Sequence, residues 1–285
     1  MQDEFLTLTS DDIRLLKLRW KTPAEVSAGV GRLIAFLDIV CPLYFESGEP
    51  EFPFYCGGSC FVTRCDGHTL VFTAQHCVKA NTLSEGKAVI ITGSGLSLPL
   101  RQEVHLNRTP QNGDEVHLWT DLSCFTMFES PTLNCLRANE YLDLTEYERN
   151  TISVHAGGLL LVAGYPSETT VLDGAKIERH PSALLGFYGG PSESKHCHVF
   201  RRLVGGCLDP NGLSGSPVFA LRFEGQRLVR ADVIGLVLQG GKHHAEIRFV
   251  GITIIIQFAQ EIAAQLNSCK HAEQESVQRS IEASG

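Results

Sequence analysis

The sequence predicts an all-β fold, a barrel or a sandwich, with helices only at its two ends. Three features carry this expectation. Short apolar runs recur along the interior, Gly, Pro and Asn/Asp turns split them at regular intervals, and helical patterning is confined to the termini.

Residues 1–30 read as an amino-terminal helical extension. Ser10-Asp11-Asp12 can cap the helix IRLLKLRW, and Pro23 opens a second short turn. From about Leu33 the pattern becomes strand-like. CFVTR and HTLVFTA flank Cys65-Asp66-Gly67, and Asp-Gly is a strong hairpin turn because both central positions need positive φ. VHLWT and CFTMF follow a turn at Asn112-Gly113-Asp114, and GLLLVAGYP reads as a buried strand ending at Pro166. SPVFALRF and RLVRADVIGLVLQ flank Glu224-Gly225-Gln226, a second hairpin. ITIIIQFAQEIAAQLN reads as a strand that turns into a carboxy-terminal helix near Gln257, at 257–268. The polar stretch 269–285 reads as a mobile tail. Residues 134–150, rich in Glu, Asp and Arg, are the expected linker between two halves.

Composition narrows the function classes. The chain has 285 residues, 43% of them hydrophobic and 20% charged, which excludes a disordered chain, a collagen and a coiled coil. Thirty-two Asp+Glu against 24 Lys+Arg give a formal net charge of −8, so no nucleic-acid partner is expected. No run reaches the ~18 apolar residues that span a bilayer, so no membrane partner is expected. The acidic start MQDEF lacks the apolar stretch of a secretory signal, and a soluble cytoplasmic protein is the expectation. Several of the ten cysteines lie inside apolar runs, such as Cys124 in LSCFTMF, where Cys acts as a small hydrophobe. Most are expected to be reduced thiols.

Three short segments carry candidate chemistry: His76 in TAQHC, Asp121 in WTDLSCF and Ser214 in NGLSGSPVF. Each alone has a bland explanation. A serine between glycines is usually a turn, a His after a strand is usually structural, and an Asp at a strand edge is usually a cap. Among rivals, Asp114 lies in an Asn-Gly-Asp turn, and Ser216 lacks the preceding Gly–X frame. His68 follows a turn, and His243 and His244 fall on a loop. Cys56, Cys60, Cys65 and His68 have only loose zinc-like spacing, and His196-Cys-His198 lacks a third ligand, so no metal is expected.

Together the segments resemble the chymotrypsin-like (trypsin-like) serine proteases. The order His–Asp–Ser, with separations of 45 and 93 residues, is similar to theirs. TAQHC resembles the family's TAAHC, and Cys56-Gly-Gly-Ser59 before CFVTR resembles its CGGS-plus-strand segment. Gly212-Leu-Ser214-Gly-Ser-Pro217 resembles its Gly-Asp-Ser-Gly-Gly-Pro. Gly164-Tyr-Pro166 resembles a segment of its bacterial and HtrA-like branches, and the strand running from Ile234 to Gly241 resembles its substrate-pairing strand.

The resemblance implies two six-stranded antiparallel barrels, at 31–135 and 136–256, with the active site in the cleft between them. It implies a serine endopeptidase acting on a protein or peptide without a cofactor. His76 would be the base, Asp121 its orienting acid and Ser214 the nucleophile. The backbone N–H groups of Gly212 and Ser214 would form the oxyanion hole. Leu208, Asp209, Leu238, Gln239 and Gly240 would bind substrate. Cys56 and Cys77 match the family's disulfide beside the histidine.

Two positions depart from the pattern. Leu213 stands where digestive members carry the Asp that pairs with a newly cleaved amino terminus, so the oxyanion loop must be held in another way. Leu238 replaces a serine that supports the catalytic Asp. These departures leave a regulatory protein partner, or a pseudoprotease acting as a binding or scaffold module, as the alternative expectation.

Overall fold

The computed structural model describes residues 37–49, 52–79, 88–105, 120–127, 133, 135–147, 154–166, 170–173, 176–179, 181–202, 211–224, 227–240 and 246–282. The extension at 1–30, the Asn112-Gly113-Asp114 turn, His243, His244, Leu208 and Asp209 lie outside the described residues.

The first barrel is built from β1 (Val40–Glu49), β2 (Phe52–Cys65), β3 (His68–Ala74), β4 (Ala88–Ile91), β5 (Ser97–His105) and β6 (Leu122–Met127). Their spatial order is β1-β4-β5-β6-β3-β2, and β2 pairs back onto β1 to close the barrel. The Asp-Gly hairpin forms as the sequence predicts. Asp66 and Gly67 take φ of 46° and 82°, and Cys65 faces His68 across the turn.

A two-residue strand, β7 (Leu142–Asp143), then runs parallel to β2, and a one-turn helix, α2 (Leu144–Tyr147), follows it; another single turn, α1 (His76–Lys79), follows β3. Much of the expected linker is thus tied to the first barrel. Leu136 packs into that barrel's core, and the buried Glu140 carboxylate accepts the N–H groups of Ser94 and Arg137.

The second barrel opens at β8 (Leu159–Gly164) and closes through β11 (Ser182–Pro191), β12 (Cys197–Arg202), β13 (Pro217–Glu224), β14 (Arg227–Gln239) and β15 (Glu246–Gly251). Its order is β11-β12-β15-β14-β13-β8, while β9 (Thr170–Asp173) and β10 (Lys176–Arg179) form a separate hairpin.

Side-chain alternation sorts the apolar residues into three cores. Leu43, Cys60, Val62, Val71, Ile90 and Phe125 fill the first barrel. Leu160, Val162, Phe200, Val218, Val237 and Phe249 fill the second. The alternate positions, Phe61, Phe72, Leu122, Leu161, Ala163 and Leu236, form a third layer that joins the two. This explains why β3, β6 and β8 read as nearly continuous apolar runs: both of their faces are covered.

The carboxy-terminal helix, α3, spans Ile252–Glu282. It starts five residues before the expected switch at Gln257, and the stretch expected to be a mobile tail from 269 continues it. The Ile-rich start reads as strand, but Ile255, Phe258, Ala259, Ile262 and Ala263 also fall at helical spacing and bury one stripe in the shared layer. No Pro or Gly interrupts residues 252–282, and Ala, Glu, Gln and Lys favour continuation. Phe258 meets Phe72 of β3 edge to face at 6.0 Å, and Asn267 bonds His68, so the helix that follows the second barrel docks on the first.

Phe258→Ala should lower unfolding stability by about 3–5 kcal/mol, as for other buried Phe truncations, read from a guanidinium melt. A loss under about 1 kcal/mol would show that the helix is dispensable to the shared layer.

Candidate active site

His76 opens α1, two residues after the end of β3. Because Ala74 faces Leu122 in the β3–β6 ladder, Asp121 arrives beside His76 from the next strand. The Gln75 N–H donates to the Asp121 carbonyl at 2.9 Å and fixes this crossing. The Asp121 carboxylate then accepts two bonds from His76, one from its backbone N–H at 2.9 Å and one from ring Nδ1 at 2.6 Å. A carboxylate only accepts, so Nδ1 carries the proton and Nε2 is the nitrogen that titrates.

The Asp121 hydrogen bond raises the His76 pKa to about 10; the Cys77 thiol acts in the same direction, and partial burial opposes them. The imidazole is 48% exposed and the carboxyl 23%. Leu238 is buried in the shared layer.

Ser214 lies on the tight turn before β13. Gly212 and Gly215 take φ of 90° and 86° there. A β-carbon on Gly215 would fall 1.9 Å from the Ser59 carbonyl and 2.5 Å from the Thr73 hydroxyl, so glycine is required for both conformation and space. The Ser214 carbonyl accepts from the Ser59 N–H at 3.1 Å and lies 3.7 Å from Cys77 Sγ. Since Cys77 follows His76, this docks the serine turn against the helix that carries the imidazole. Among the described hydrogen bonds none joins Ser214 Oγ to His76: the His–Asp half is directly bonded, and the serine is placed by its backbone. On the far side, the Gly215 N–H donates to the Val237 carbonyl at 2.8 Å, and the Val237 N–H to the Ser216 carbonyl at 2.9 Å.

Leu213 is fully buried in the core of the second barrel. Of the expected substrate residues, Gln239 is exposed and Gly240 half-buried. The β14–β15 register shifts between Val237 and Gln239, and the buried Leu238 side chain leaves only its backbone for a substrate. Ser216 is fully buried, its Oγ filling the space a β-carbon on Gly164 would take.

Among the described cysteines, Cys56 and Cys77 included, no disulfide is formed. Among the described residues no three His, Cys, Asp or Glu side chains converge as metal ligands. His68 and His198 have structural partners instead: Asn267 at 2.8 Å, and Tyr188 Oη at 2.8 Å with Phe249 stacked beside it. Among the described residues no helix is long and apolar enough to cross a membrane.

No protein-family model and no curated protein matches the sequence. Solved structures do match the fold. Human heparin binding protein aligns with 15% identity and a TM-score of 0.52, covering 82% of this chain and 93% of that one. A mutant of human heparin binding protein (CAP37) aligns with 16% identity and a TM-score of 0.51 over the same shares. The fold is chymotrypsin-like. In this chymotrypsin-like chain the first barrel contributes His76 and Asp121, and the second contributes Ser214. The sequence reading missed Ser59 and Thr73, which join those two contributions. Ser59 was visible only as the last letter of CGGS.

The raised pKa predicts a titration. His76 should titrate near pH 10 by NMR and drop toward the ordinary value of about 6.5 in Asp121→Asn. Because the folded value is the higher one, the stability contributed by the pair is complete below pH ~6.5 and is lost as pH rises through about 10. A His76 titration near 6.5 in both proteins would show that the 2.6 Å contact carries no charge coupling.

Proposed function

We propose that the chain is a serine endopeptidase that cleaves peptide bonds through an acyl-enzyme. The supporting observation is the 2.6 Å bond between His76 Nδ1 and the Asp121 carboxylate, beside a serine turn docked on the same strand system. A serine hydroxyl is a poor nucleophile near neutral pH and needs an adjacent base. In this reading His76 Nε2 takes the Ser214 proton as Oγ attacks the scissile carbonyl, and later returns it to the leaving amine. Asp121 keeps the proton on Nδ1 and stabilises the imidazolium. The N–H groups of Gly212 and Ser214 receive the developing oxyanion; one such donor lowers the barrier by about 3–4 kcal/mol.

The substrate would pair as an extended strand with the end of β14 at Gln239 and Gly240, beyond the last β13 partner of β14, Leu236. The buried Leu213 supports a loop held as in the HtrA-like and viral branches, without a cleaved amino terminus.

A second reading is a pseudoprotease that binds protein without turnover. It is favoured by an imidazole held as a cation up to about pH 10 beside a serine hydroxyl to which it is not bonded. A fluorophosphonate probe separates the two. Labelling of the wild type and loss of labelling in Ser214→Ala mark a serine hydrolase. An unlabelled, folded wild type marks the binding module.

Peptidase activity should climb with pH through neutrality toward about 10, because imidazolium cannot accept the serine proton. A pH–rate profile that is flat from pH 5 to 8 would remove His76 as the base.

A further inference from the structure

We propose that Ser59 is the positioning residue of the oxyanion loop, the device that takes over the role of an activation ion pair in this chain. The inference rests on the peptidase reading for its catalytic meaning, but its structural part stands alone.

Ser59 is fully buried on β2 and uses every polar group it has. Its N–H donates to the Ser214 carbonyl at 3.1 Å, and its hydroxyl donates to the Gly212 carbonyl at 2.8 Å. The same hydroxyl accepts the Tyr165 N–H at 2.8 Å, and its carbonyl accepts the Thr73 hydroxyl at 2.8 Å. One residue of the first barrel therefore grips the two residues whose N–H groups would bind the oxyanion, each by its own carbonyl. Between them Leu213 is sunk into the second core, and the Ser216 N–H closes the turn on the Leu213 carbonyl at 2.9 Å.

The held carbonyls belong to the peptides that follow the two donor N–H groups, so turning Gly212 or Ser214 away from their present orientation would strain or break a bond to Ser59 and leave a buried carbonyl or hydroxyl unpaired, which is costly. The Thr73 hydroxyl fixes Ser59 in turn. Thr73 lies on β3, three residues before His76, so the strand that positions the imidazole also orients the residue that orients the loop. Neither Ser59 nor Thr73 touches a reacting atom in this scheme. They act through the backbone they hold.

The experiment compares wild type, Ser59→Ala and a matched control, Ser182→Ala, which removes another fully buried serine hydroxyl with no hydrogen-bond partner among the described residues. The measurements are kcat and KM on a peptide ester, affinity for a peptide boronate as an oxyanion mimic, and hydrogen–deuterium exchange of the segment 211–216. Ser59→Ala should lower kcat and boronate affinity in parallel by about tenfold or more, with KM within about twofold, and should speed exchange at 211–216. Ser182→Ala should leave all of these near wild type.

Unchanged exchange at 211–216 in Ser59→Ala overturns the proposal whatever the kinetics. So does an unchanged kcat and boronate affinity in a labelled enzyme. A wild type that no fluorophosphonate labels refutes the peptidase reading, while the exchange measurement still decides whether Ser59 holds the turn.

Discussion

Two backbones meet at Ser59 and Gly215 with no room for a side chain between them, and the architecture on either side follows from that contact. The carbonyl of one residue occupies the place where the β-carbon of the other would sit. Such an approach is stable only if the polar groups on both sides are paired, and here they are: amide to carbonyl, hydroxyl to carbonyl, and a threonine hydroxyl behind. The two barrels are thus joined by a wide apolar layer, which is non-directional, and by a small polar joint that fixes register. Area holds the halves together, and the joint decides which residues face each other.

The electrostatics of the site follow from where the joint leaves the imidazole. His76 stands half-exposed at the rim, while its acid partner is more enclosed and bonds both the ring and the backbone of the same residue. A carboxylate with two bonds to one histidine orients it firmly, and it also stabilises the cation strongly. The same contact that sets the tautomer raises the pKa. In the peptidase reading a bound substrate must bring Ser214 Oγ to Nε2, and the free site rests in a charged, waiting state.

Much of this could be read from the residues. The hairpin at Asp66-Gly67 was legible because its φ values leave few other choices, and an all-β barrel or sandwich from the short apolar runs split by turns; the double barrel was legible only through the resemblance to chymotrypsin-like proteases. The candidate His–Asp–Ser set came from order and flanking motifs, and of its three members the structure brings His76 and Asp121 into direct contact. The joint was not. Ser59 looks like any small residue after two glycines, and its importance lies in carbonyls more than a hundred and fifty positions away. The start of α3 was misread because a run of isoleucines satisfies the strand pattern and the helix pattern equally. Only the partners on β3 and β14, supplied by tertiary packing, choose between them. Leu213 shows a middle case. Its identity ruled out an ion pair, while the core that receives it became visible only once the second barrel was closed.

The shared layer draws on residues from Ile39 to Ala263, so it closes only when the last helix is in hand. A chain emerging from the ribosome can complete the first barrel long before Phe258 exists to cover Phe72. In that interval a broad greasy flank faces solvent, and folding cannot finish by local steps alone. A chain that ended before Ile252 would leave that flank uncovered, a sticky half-product instead of a smaller folded protein.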